Sequence, residues 1–111
     1  RTTNATTVNQ EYGDLMLEKA AALRTAIEEA ATAGVISGRN LRQIRNAARL
    51  VEEKLVSGDC GLASRKLQTV INRANRFTFG LDPNVNHQGR ILARASNMLF
   101  TNDEKYCAFA P

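Results

Sequence analysis

Three glycines, at positions 34, 58 and 80, cut the sequence into segments of nearly equal length, and each segment carries apolar residues at helical spacing. Residues 14 to 33 place Met16, Ala20, Leu23, Ile27 and Ala30 at steps of three and four, with Glu18, Lys19, Arg24, Glu28 and Glu29 off that stripe. Such a pattern buries one face of a helix and solvates the other. A second seam follows in Leu41, Ile44, Ala48, Val51 and Leu55, a third in Ala63, Leu67, Val70, Ile71, Ala74 and Phe77, and a fourth in Ile91, Leu92, Ala95, Met98 and Leu99. Helices of about twenty residues run roughly 30 Å, and short turns between them force alternating directions. The fold expected is all-α, an antiparallel up-down-up-down four-helix bundle in a single domain spanning residues 1–111.

The punctuation follows helix-capping chemistry. Gly34 is placed to adopt a left-handed C-cap, and Asn40-Leu41-Arg42-Gln43 has the spacing of a capping box for the second helix. Gly58 stops that helix and Asp59 is positioned as the N-cap of the third, which ends near Gly80. The segment 79–89 is expected to be the longest loop, because Asp82-Pro83-Asn84 reads as a turn. The fourth helix is expected either to run on towards Tyr106 or to break near Asn102-Asp103, where Thr101 would cap a short extra turn, and residues 1–10 are expected to form a flexible tail. Asn4-Ala5-Thr6 fits the glycosylation triplet, but such triplets arise often by chance in Thr-rich tails, and a bare tail is the reading favoured.

Cys60 and Cys107 fall at the head of the third helix and the tail of the fourth. Neighbouring antiparallel helices bring those ends together, so the two thiols are expected to form a disulfide, with a pair of buried free thiols as the alternative. A disulfide would place the chain in an oxidising compartment: the thylakoid lumen, the periplasm or the extracellular space. The start at Arg1, without Met or an apolar leader, agrees with removal of a targeting segment. No apolar run is long enough to span a bilayer.

Candidate chemistry is sparse. His87 is the only histidine, no Glu-x-x-His pair faces a bundle interior, and no glycine-rich phosphate loop follows a strand. The Cys-x-x-Cys-His signature of covalent haem attachment is missing, which leaves only a non-covalent haem site through His87 with Met16 or Met98. No enzyme, cofactor or metal site is therefore expected. Charge is the stronger signal: the net charge is +4, and residues 39–94 hold eleven basic against four acidic side chains. Arg42, Arg45 and Arg49 recur along the second helix, Lys66, Arg73 and Arg76 along the third, and Arg90 and Arg94 one turn apart on the fourth. One reading of this pattern is a solvated polar helix face, helped by the i, i+4 pair of Arg49 and Glu53. The other is a face for electrostatic docking to an acidic partner. Nucleic acid is disfavoured by five per cent aromatics and the absence of a recognition module. A lipid surface is disfavoured by the lack of an aromatic-rich amphipathic anchor.

An up-and-down bundle with a cationic face carried by Arg42, Arg45, Arg49, Arg73 and Arg76 resembles the extrinsic lumenal subunits of photosystem II, the PsbQ-like group. The resemblance covers residues 14–107 in size, charge and architecture, and departs from that group in lacking Trp and in carrying Cys60 and Cys107. It implies a non-enzymatic accessory subunit that binds a membrane-embedded complex and supports oxygen evolution by helping to retain calcium and chloride. Two other readings fit the same composition: a secreted helical inhibitor or effector that binds a protein, and a carrier holding haem or lipid in the bundle interior.

Overall fold

A computed structural model of the chain describes residues 5–76 and 82–107. Four helices span Ala5–Thr32 (α1), Gly38–Val56 (α2), Cys60–Arg76 (α3) and Asp82–Thr101 (α4), and α4 passes directly into a π-helical turn over Asn102–Tyr106. No strand occurs among the described residues. Each helix packs on its sequence neighbours, and α4 closes the ring by packing on α1. Cross-helix bonds fix the directions. Arg24 and Glu28 of α1 pair with Glu52 and Arg45 of α2 in reverse order, Arg73 of α3 reaches back to Gln43 of α2, and Gln88 of α4 reaches Ala74 of α3. All neighbours are antiparallel, which is the expected up-down-up-down bundle.

The core lies where the helical period puts it. Met16, Ala20, Leu23, Ile27 and Ala30 of α1 are buried, as are Ile44, Ala48, Val51 and Leu55 of α2, Ala63, Leu67, Val70 and Ala74 of α3, and Ile91, Ala95 and Met98 of α4. Leu41, Ile71, Leu92 and Leu99 pack against that cluster at its edges. Phe77 and Gly80 lie outside the described residues.

Both interhelical glycines act as read. Gly34 (φ +76°) donates to Ala31 while Val35 donates to Ala30, and Gly58 (φ +80°) donates to Leu55 while Asp59 donates to Lys54. These are paired six-to-one and five-to-two bonds around a left-handed residue, which satisfy the last carbonyls of α1 and α2. Asp59 then caps α3 by accepting from the Leu62 amide at 3.0 Å.

Three local expectations are corrected. The helix start before Arg42 lies at Gly38 after an extended Ser37, so Asn40 sits inside the first turn and forms no capping box. The tail expected over residues 1–10 is helical from Ala5, because α1 is nucleated by the core contacts from Tyr12 onward and its backward extension adds one bond per residue without new nucleation. The loop expected over 79–89 is shorter, since 82–89 is already α4. Pro83 sits in its first turn, where a missing N–H leaves no intrahelical bond unmade. Of the two endings expected for the fourth helix, the chain takes the continuous one: Thr101 forms no side-chain cap, and the helix runs on in a π turn to Tyr106.

Candidate docking surfaces

The ring of helices sorts the cations of the chain into seams, and the seams differ in how they are neutralised. Between α1 and α2, Arg24 Nε lies 3.0 Å from Glu52 Oε1. On the same seam Arg45 donates to both carboxylate oxygens of Glu28 along one edge of its guanidinium, at 2.6 Å from Nε and 2.5 Å from Nη2. The hydrogen bonds from Arg45 hold the Glu28 carboxyl below its usual range and raise the guanidinium in turn. Arg49 pairs along its own helix with Glu53 at 2.5 Å and donates to Asn46 at 2.6 Å. Two of the three arginines expected to dock on α2 are therefore already engaged by carboxylates.

Between α2 and α3 the situation reverses. A shallow groove there is lined by Gln43, Asn46, Ala47, Leu50, Lys66, Thr69 and Arg73, with no acidic residue among them. Arg73 is half-buried and donates to the neutral amide of Gln43 at 2.7 Å. Arg42 is exposed on α2, Arg76 on the last turn of α3, and among the described residues neither they nor Lys66 meets a carboxylate within ion-pair distance. Lys66 and Arg73 thus line this groove without a carboxylate partner among the described residues.

Arg90 and Arg94 lie elsewhere. They line a cleft between α1 and α4 with Lys19, Ala22, Ala93 and Asn97, on the side of the ring away from the α2–α3 seam. The eight expected docking residues are thus divided among three seams rather than gathered on one face.

The cysteines meet as expected: Cys60 and Cys107 form a disulfide with Cα atoms 5.6 Å apart. Beside it lies a polar cluster that sequence reasoning missed. Asn102 is fully buried and donates to the Cys60 carbonyl at 2.9 Å and to Ser64 Oγ at 2.8 Å, while Ser64 donates to Asp103. Tyr106 turns inward to donate to the Leu55 carbonyl at 3.1 Å, and a Cβ added at Gly13 of α1 would sit 3.6 Å from its ring, an ordinary van der Waals contact. A signal existed for Asn102. It falls at the next step of the stripe Ile91, Ala95, Met98, which puts an amide on the core face of α4.

His87 Nδ1 is buried without a hydrogen-bond partner among the described residues, and the ring borders an open surface depression along α1 with Arg24, Thr25, Glu28 and Thr32. Met16 and Met98 are fully buried in the core. His87 and Met98 stand on one helix separated by about 16 Å along its axis. A single haem iron cannot be ligated by both. No helix among the described residues is long and apolar enough to cross a membrane. No protein-family model matches the chain, and no curated protein or solved structure matches it either.

Proposed function

We propose that this chain is a non-enzymatic docking subunit that binds an acidic surface of a larger assembly through the α2–α3 groove. The observation supporting this is the contrast between seams. Arginines facing α1 from α2 find Glu28, while Lys66 and Arg73 line a groove without a single carboxylate and Arg73 is held only by a neutral amide. Cations left unneutralised by their own fold attract an acidic partner and steer its approach. The docking set narrows to Arg42, Lys66, Arg73 and Arg76, with Arg45 and Arg49 turned towards internal pairing.

The disulfide supports an oxidising compartment as the working location, since such bonds persist where thiols are not kept reduced. The specific form of the proposal is an extrinsic, lumenal subunit of photosystem II of the PsbQ-like kind. A salt-titrated pull-down from photosynthetic membranes tests it. The wild-type protein should retain the complex at low ionic strength and release it as salt rises, and Arg42→Glu/Lys66→Glu/Arg73→Glu should abolish retention while leaving the helical circular dichroism intact. Retention of the triple variant at low salt defeats the docking assignment. Recovery of a soluble hydrolase, in place of a membrane complex, redirects the function to an inhibitor.

A further inference from the structure

The cleft between α1 and α4 is built differently from the α2–α3 groove. Its volume is about 350 Å³, and its lining is Lys19, Ala22, Arg90, Ala93, Arg94 and Asn97. Three cations surround a floor of two alanines, whose short side chains leave the space between the helices open. Among the described residues, the one carboxylate within ion-pair distance of these cations is Glu29, 3.9 Å from Arg90, a loose contact at the edge of the range. Arg94 meets no carboxylate among the described residues. Lys19 is half-buried, yet its ammonium donates to the neutral Oδ1 of Asn97. That bond leaves the Asn97 amide nitrogen, a donor, free to turn to a ligand.

Arg90 and Arg94 are like charges one turn apart, an arrangement that disfavours a helix unless an anion bridges them. One carboxylate would leave two of the three cations uncompensated. A tetrahedral dianion offers several oxygens to two guanidinium forks and an ammonium at once. One turn further along the same seam, in the direction of the π turn, stand Leu15 (four residues before Lys19) and Phe100 (three residues after Asn97). They are exposed by 38% and 63%, among the large apolar side chains left open to solvent. They place an apolar ledge beside the cationic cleft.

We propose that this cleft binds a phosphomonoester carrying an apolar body, with the phosphoryl group held by Lys19, Arg90, Arg94 and the Asn97 amide and the body resting on Leu15 and Phe100. The site is separate from the α2–α3 groove and does not rest on the docking assignment. Phenyl phosphate, inorganic phosphate and vesicles containing phosphatidic acid are the probes, followed by isothermal calorimetry at low ionic strength and by amide and side-chain shifts in NMR spectra. Phenyl phosphate should bind more tightly than inorganic phosphate by about 3–10-fold, since a buried apolar ring adds its own transfer free energy. Shifts should centre on Lys19, Arg94, Asn97 and Phe100. Lys19→Ala/Arg94→Ala should weaken phenyl phosphate at least about tenfold. Both residues lie at the surface of α1 and α4, so helical circular dichroism should be unchanged, and Lys66→Ala/Arg73→Ala, on the other seam, should bind like wild type. Equal loss in both double variants, or no saturable binding of phenyl phosphate, overturns the proposal. Tight vesicle binding lost in Phe100→Ser would assign the ligand to a lipid headgroup. Vesicle binding no stronger than that of phenyl phosphate would assign it to a free monoester.

Discussion

Replacing Cys60 and Cys107 together by alanine removes the only covalent link between α3 and the end of the π turn, and the size of the loss follows from the length of chain it closes. The bridge spans 47 residues of sequence. In the chain-entropy description, closing a loop of that length lowers the entropy of the unfolded ensemble enough to stabilise the fold by about 4 kcal/mol. Unfolding entropy of roughly 2.1 cal/mol/K per residue, summed over the 111 residues, converts this into a fall in Tm of about 17 °C. Alanine is preferred to serine here because both cysteines are half-buried beside the core, and a hydroxyl there would add a desolvation cost of its own.

The assay is thermal unfolding followed by circular dichroism, run on the double variant and on oxidised wild type at equal concentration. A second readout separates mechanisms. The native turn is also held by Asn102 on Cys60 O and by Tyr106 on Leu55 O, so its contacts should survive loss of the bridge. Hydrogen exchange at residues 102–106 should then accelerate in step with global stability and no more. A fall in Tm of less than about 4 °C, which is roughly 1 kcal/mol, refutes the unfolded-state reasoning. Selective loss of protection at 102–106 with an almost unchanged Tm would show instead that the bridge acts as a local strap on the folded state.

Tyr106→Phe removes one buried hydrogen bond and leaves the Leu55 carbonyl without its side-chain donor, and chemical denaturation should report a loss of about 1 kcal/mol. Asn102→Ala strips two donors from a fully buried site and should cost more, about 2–3 kcal/mol by the same measurement. Two glycine substitutions should move in opposite directions. Gly34→Ala forces a side chain into the left-handed region and should destabilise by about 1 kcal/mol, whereas Gly89→Ala, inside α4 with no atom near the added Cβ, should stabilise by up to about 1 kcal/mol. Glu28 is lowered by its bonds from Arg45, so the pair's contribution is present above the ordinary carboxylate range and fades as acid protonates Glu28 through its lowered value. Comparing Glu28→Gln with wild type, the stability difference should be small at neutral pH, as expected of an exposed pair, and should vanish in acid.

Much of the fold was legible because it is written in local terms. The stripes from Met16 to Ala30 and from Ile44 to Leu55 fix which face of each helix is buried, and the left-handed glycines at 34 and 58 with the aspartate at 59 fix where two helices end and the next begins. The errors share a cause. Asp82-Pro83 is a breaker when a helix approaches it and an opener when a helix leaves it, and the order of residues does not say which. The backward growth of α1 to Ala5 draws on packing of Tyr12 against the core, which no window over weak helix formers such as Thr6 and Thr7 contains.

The basic residues were harder still, because a docking face is a property of cross-helix register. Arg45 and Arg73 have the same spacing signature in the sequence, yet Arg45 falls opposite Glu28 and Arg73 falls opposite Gln43. That single difference, carboxylate against amide, decides which arginine is neutralised inside the fold and which keeps its charge uncompensated. It depends on the rotation of α2 relative to α1 and α3, and so on core packing across the whole ring. Seen this way, the disulfide and the cationic seams belong to one construction. The bridge fixes the end of α4 against α3, the π turn seats Asn102 and Tyr106 beneath it, and the resulting registry holds Lys19 against Asn97 on one side of the ring and Arg73 against Gln43 on the other.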